Sequence, residues 1–91
     1  MGDAYSYLSM MYEGSKNPYI RMYADGKILE HYRQIYLEGL DIPLTINKIV
    51  EIRISNTTLR FITEDGEYFI VSKDKVIFAQ VSYNEEIGVI L

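Results

Sequence analysis

The sequence predicts an α+β domain, with helices in its first half and a five-stranded antiparallel meander, curled into an open sheet or a small barrel, in its second. Two observations carry this. Apolar residues before position 42 recur at helical spacing, whereas from Leu44 onward they alternate with polar ones. Short β-rich runs in the second half are also separated by Asn, Asp and Gly clusters of the kind that turn a chain. With 91 residues the chain forms one domain over 1–91, mainly helical over 1–42 and a β-meander over 43–91.

The first helix is expected over residues 4 to 13. Asp3 supplies an N-cap, Tyr5, Leu8 and Tyr12 share a face, and Gly14 can take the left-handed stop. Asn17 and Pro18 then read as a cap and first helical position for a restart. A second helix is expected over 27 to 38. Ile28, Leu29, Tyr32, Ile35 and Tyr36 form its apolar stripe, and Gly39 with Pro43 ends it. The competing reading makes residues 23 to 27 a hairpin turn between strands 19 to 23 and 27 to 32, because Asp25 and Gly26 are turn formers.

From Leu44 the period is two. Leu44, Ile46, Val50, Ile52 and Ile54 alternate with Thr45, Asn47, Glu51, Arg53 and Ser55, and the pattern fails only at Lys48 and Ile49. Twelve extended residues span roughly 40 Å. A strand that long must bend in a domain this small, and Lys48 and Ile49 are where it should. Further strands are expected over 59 to 63, 67 to 72, 76 to 83 and 87 to 91, with a hairpin loop at Glu64, Asp65 and Gly66. The strands over 67 to 72 and 76 to 83 are apolar on both faces and so require cover on both.

The run from Tyr68 to Val81 resembles the last two strands of an Sm-like or SH3-like barrel. The resemblance is one of topology over the final half of the chain and implies a small SH3/Sm-like barrel. Arg60 is not followed by the glycine of that family's RNA-contacting signature, so no site residue carries over.

Composition narrows function by exclusion. There is no cysteine, which removes disulfides, thiolate metal sites and cysteine nucleophiles and makes the cytoplasm the default setting. No apolar stretch is long enough for a membrane span. The five lysines and four arginines are scattered in a chain of net charge −4, which disfavours nucleic acid. His31, the sole histidine, lacks partners at metal-ligand spacing and reads as a solvated surface residue. The carboxylates of Glu64, Asp65 and Glu67 flank a turn glycine without a calcium-loop pattern. With no nucleophile elbow, phosphate loop or dinucleotide fingerprint, the sequence points to no catalytic residue, no cofactor and no metal, and hence to no enzyme.

What remains is a noncatalytic protein-interaction module, a small regulator or inhibitor that works by binding a macromolecular partner. Nine tyrosines fit that reading, because tyrosine joins a large apolar ring to a polar tip. The contact residues expected from it are Tyr7, Met10, Met11, Tyr19, Met22 and Tyr23, for which core packing is the alternative. A second reading is a small-barrel nucleic-acid-binding protein using Arg53, Arg60, Lys73, Lys75 and Tyr68. A homodimer is also expected, through the uncharged terminal strand with Ile87, Val89, Ile90 and Leu91 or through the uncovered face beside it.

Overall fold

A computed structural model describes residues 9–13 and 17–87. The described residues form seven strands: β1 (Ser9–Glu13), β2 (Asn17–Tyr23), β3 (Glu30–Leu37), β4 (Leu44–Ile54), β5 (Thr58–Thr63), β6 (Tyr68–Ser72) and β7 (Val76–Tyr83). All pairings are antiparallel. The only helical elements among the described residues are single 3-10 turns at Lys73–Lys75 and Glu85–Ile87. None is long and apolar enough to cross a membrane.

The α+β expectation is therefore corrected to an all-antiparallel sheet. Ser9–Glu13, placed in a first helix from the sequence, pairs instead with Asn17–Tyr23, Met11 standing opposite Tyr19. Tyr5, Leu8 and Gly14, on which that helix rested, lie outside the described residues. Tyr19, Ile20 and Tyr23 are strand formers, and cross-strand pairing decides their conformation.

The second predicted helix is β3, and the cause of the misreading is local. His31 is an extra residue in the register between β3 and β7, where Glu30 faces Tyr83 and Tyr32 faces Ser82. Such a bulge shifts the alternation, so the apolar residues on either side of it imitate helical spacing. Tyr36 adds to the imitation from the outer side, where its ring stacks on Phe78 at 4.2 Å between centroids.

The hairpin alternative is half right. Asp25 and Gly26 have φ of 43° and 85°, the Lys27 N–H donates to the Ala24 carbonyl at 2.9 Å, and Ala24 bridges Lys27. Two successive positive φ values are what a tight I′ turn requires. Yet β2 and β3 do not pair with each other. Ile49 of β4 faces both Glu30 and Thr63, and Glu51 faces both Tyr23 and Ile62. A strand has two edges, so β5 occupies one while β2 and β3 lie end to end along the other.

The meander of the second half is present as the alternation predicts. Strands β4 to β7 fall within a residue of their expected bounds, and β4 bends where expected: Lys48 has φ 55° and the register with β5 slips between Ile49 and Glu51. The turn at Glu64, Asp65 and Gly66 closes with the Gly66 N–H donating to the Thr63 carbonyl at 3.0 Å, and Gly66 takes φ 89°. After β6 the chain crosses through one 3-10 turn to β7, which pairs with β3, so the sheet curls over its own core. The predicted strand over 87 to 91 begins differently, since Ile87 closes the second 3-10 turn.

The inner side of this curl holds Leu29, Ile35, Ile46, Ile49, Ile52, Phe61 and Val71, with Phe61 and Ile49 wholly buried. Phe61 sits between Ile52 and Phe69 in register. Truncating a ring so placed costs on the order of 3–5 kcal/mol. The cover that the two-sided apolar strands call for is absent on their outer side among the described residues: Tyr68, Ile70, Ile77 and Phe78 are all exposed.

Candidate interaction face of the sheet

Residues directly opposite each other in an antiparallel sheet share a face. Across β2, β4, β5 and β6 this rule generates two rows on the outer side. One is Arg21, Arg53, Arg60 and Ile70, and the other is Tyr23, Glu51, Ile62 and Tyr68. Tyr19 joins them by alternation along β2. The inner side of the same strands carries Met22, Ile52, Phe61 and Phe69, which explains why the strands form at all.

Glu51 organises the face. Arg21 donates to its carboxylate twice, from Nε at 2.8 Å and Nη2 at 3.0 Å, and Arg53 donates from Nε at 2.6 Å. Burial opposes charge on Glu51, but these hydrogen bonds and the two guanidinium charges outweigh it and hold the carboxyl below its ordinary pKa. The same contacts raise both arginines. Tyrosine rings brace the guanidinium groups: Arg21 lies 4.0 Å over Tyr23, and Arg53 lies 5.6 Å from Tyr19 and 5.9 Å from Tyr68. Arg60 donates from Nη1 to the Tyr68 hydroxyl at 3.3 Å.

Arg21 and Arg53 share the one Glu51 carboxylate, and Arg60 stands beside Arg53 in the same row. Arg53 commits only Nε to Glu51, so its terminal nitrogens are the outward donors of a side chain already fixed in place. Lys73 continues the cationic edge. It lines a shallow cleft with Pro18, Tyr19, Ile54 and Asn56, and its Nζ donates to the Ser55 carbonyl at 3.1 Å.

The sequence-predicted residues divide. Tyr19 and Tyr23 from the protein-contact set, and Arg53, Arg60 and Tyr68 from the nucleic-acid set, come together here. Met22 turns inward against the core. Met10 and Met11 stand opposite Ile20 and Tyr19 in the backbone register of β1. Tyr7, Val89, Ile90 and Leu91 lie outside the described residues. Lys75 is remote, within 3.9 Å of Glu38. Sequence reasoning missed Arg21 and Glu51, although the alternation Tyr19, Arg21, Tyr23 and the polar side of β4 were both visible signals. Among the described residues, no group of three or more His, Asp or Glu converges as a metal site requires.

Comparison of the chain with protein-family models, with curated proteins and with solved structures finds no match in any of the three.

Proposed function

We propose that this protein is a noncatalytic interaction module that binds a protein partner through the outer face of β2, β4, β5 and β6. The observation that carries the reading is the set of three arginines and three tyrosines braced around Glu51. Arginine and tyrosine dominate the energetic centres of protein interfaces, because each offers large contact area together with directional donors. Bracing lowers the entropic cost of contact, since side chains already ordered have less freedom to lose. The terminal nitrogens of Arg53, which are not committed to Glu51, favour a partner that presents carboxylates or phosphates to them.

The module acts as a regulator or inhibitor by occupying that partner, without chemistry of its own. A cysteine-free chain suits the cytoplasm, where we place it.

A second reading has one observation in its favour: Arg53, Arg60 and Tyr68 do sit side by side, as single-strand binding by stacking would need. The net charge of −4 and the neutralisation by Glu51 weigh against it.

Arg60→Glu combined with Tyr68→Ala alters this face without touching the bonds to Glu51. In affinity purification from the native host, the proteins recovered with wild type should be lost with the double variant. Identical recovery with both would overturn the reading. Salt-sensitive binding of single-stranded RNA or DNA in fluorescence anisotropy would replace it with the second.

A further inference from the structure

A different surface, β7, has the properties of a self-pairing edge. Among the described residues β7 pairs only with β3, and none of them takes its other edge. From Val76 to Tyr83 the strand contains no charged residue and no proline. Ile77 is 65% and Phe78 52% exposed. Lysine, proline and inward charge are the usual protections of an edge strand, and none stands within this one. Two register shifts interrupt the pairing with β3, one leaving Ile77 without a β3 partner and the other at the His31 bulge opposite Ser82 and Tyr83, and pairing is regular from Phe78 to Ser82.

We infer that two copies of this chain pair through β7 about a twofold axis at Gln80. The ends of the strand select this partner. Lys73 and Lys75 stand immediately before β7, and Glu85 and Glu86 immediately after it. Antiparallel self-pairing about that axis sets Lys75 of one copy opposite Glu85 of the other, twice per dimer, while Asp74 stands opposite Glu86. The glutamates line a shallow cleft with His31, Ser82, Tyr83 and Asn84, which gives the incoming Lys75 a concave acidic seat. Asn84 fixes that cleft by donating from Nδ2 to the Ile28 carbonyl at 2.8 Å and accepting the Glu86 N–H at 3.1 Å. Lys75 is free to reach it, because its contact to Glu38 is long and exposed.

The same charges reject the head-to-tail alternative. Running β6 of one copy against β7 of the next would place Glu64, Asp65 and Glu67 beside Glu85 and Glu86, and Lys73 beside Lys75. Like charges across adjacent strands are destabilising. A closed twofold dimer is therefore the expected state, and a ring or filament is not.

Light scattering coupled to size exclusion on the full chain should give twice the 10.6 kDa chain mass. Gln80 is exposed, so Gln80→Lys should keep the circular-dichroism spectrum while setting two lysines face to face on the axis and yielding a monomer. Ile70→Lys, on the β6 edge, should leave the dimer intact. Lys75→Glu should raise the dimer Kd about tenfold, and adding Glu85→Lys should recover most of that loss. Should Gln80→Lys fail to fold, this charge-exchange pair carries the test alone. A wild-type monomer at millimolar concentration, a larger assembly, a dimer broken by Ile70→Lys, or no recovery in the charge exchange would each overturn the inference. A dimer broken by Ile70→Lys would place the self-contact on the arginine row, where Ile70 stands, whereas the other outcomes concern β7 and leave the reading of the arginine–tyrosine face as it is.

Discussion

Two carboxylates are held by arginines in this sheet, and they are held for different ends. Glu30 is 3% exposed and takes both its bonds from one arginine, Arg33, at 2.8 and 2.6 Å. The pair is charge-neutral and closed, with the Arg33 guanidinium 5.1 Å over the Phe61 ring at the centre of the core. Glu51 is 9% exposed and takes bonds from two arginines on the outer side. The first arrangement satisfies a buried charge and ends there. The second satisfies a charge and leaves the terminal nitrogens of Arg53 uncommitted to it, which is why only the second is a candidate contact surface.

The difference predicts unequal responses to mutation. Arg33→Met removes the only side chain among the described residues that bonds the buried Glu30 carboxylate and should cost about 3–5 kcal/mol in urea unfolding, the penalty of an uncompensated buried charge. Glu30→Gln combined with Arg33→Met should recover much of that loss, because no charge is then stranded. If Arg33→Met costs no more than an average surface change, the contrast between the two clusters collapses.

Acid should act on Glu51 next. Its carboxyl lies below the ordinary value in the folded protein, so its contribution is fully present above the unfolded pKa of about 4.3 and is lost as pH falls through the lower folded value. Unfolding free energies measured from neutral pH down to about pH 3 should therefore drop below about pH 4, and Glu51→Gln should flatten that part of the curve. An equally steep acid limb in the variant would remove Glu51 as its source.

Arg21→Met should cost only about 1 kcal/mol, since Arg53 continues to neutralise Glu51 and the Arg21 side chain is 32% exposed. A loss as large as that of Arg33→Met would mean that Glu51 depends on both arginines equally.

The smallest effect tests the bend. Lys48 holds φ 55° without burial, and its carbonyl accepts the Glu64 N–H at 2.8 Å. Lys48→Gly should raise stability by several tenths of a kcal/mol, up to about 1, because relief of the left-handed strain exceeds glycine's entropic cost. Thermal melting would show a small upward shift, and a downward one would mean that the Lys48 side chain contributes packing of its own.

Half of this architecture was legible in the sequence, and the boundary has a physical cause. From Leu44 onward the inner residues alternate cleanly, so strand bounds, the bend at Lys48 and the turn at Gly66 follow from local pattern and turn chemistry. Before residue 42 the alternation is interrupted by the His31 bulge and masked by tyrosines on the outer side, and spacing alone then imitates a helix. The interaction face was visible in fragments. Arg53, Arg60 and Tyr68 lie on strands that the sequence predicts, whereas Arg21 and Glu51 are 30 residues apart and meet only because β2 docks beside β4. That docking is a tertiary fact with no local signature.

The central claim, that the arginine–tyrosine face is the contact surface, is tested most directly by placing a photoreactive phenylalanine at position 68 and irradiating the native host. A covalent adduct with a protein other than a second copy should form there and should weaken severalfold when Arg60→Glu is added. The same probe at Tyr32, exposed on β3, should capture no such protein. Capture from position 32 with none from position 68 would contradict the account.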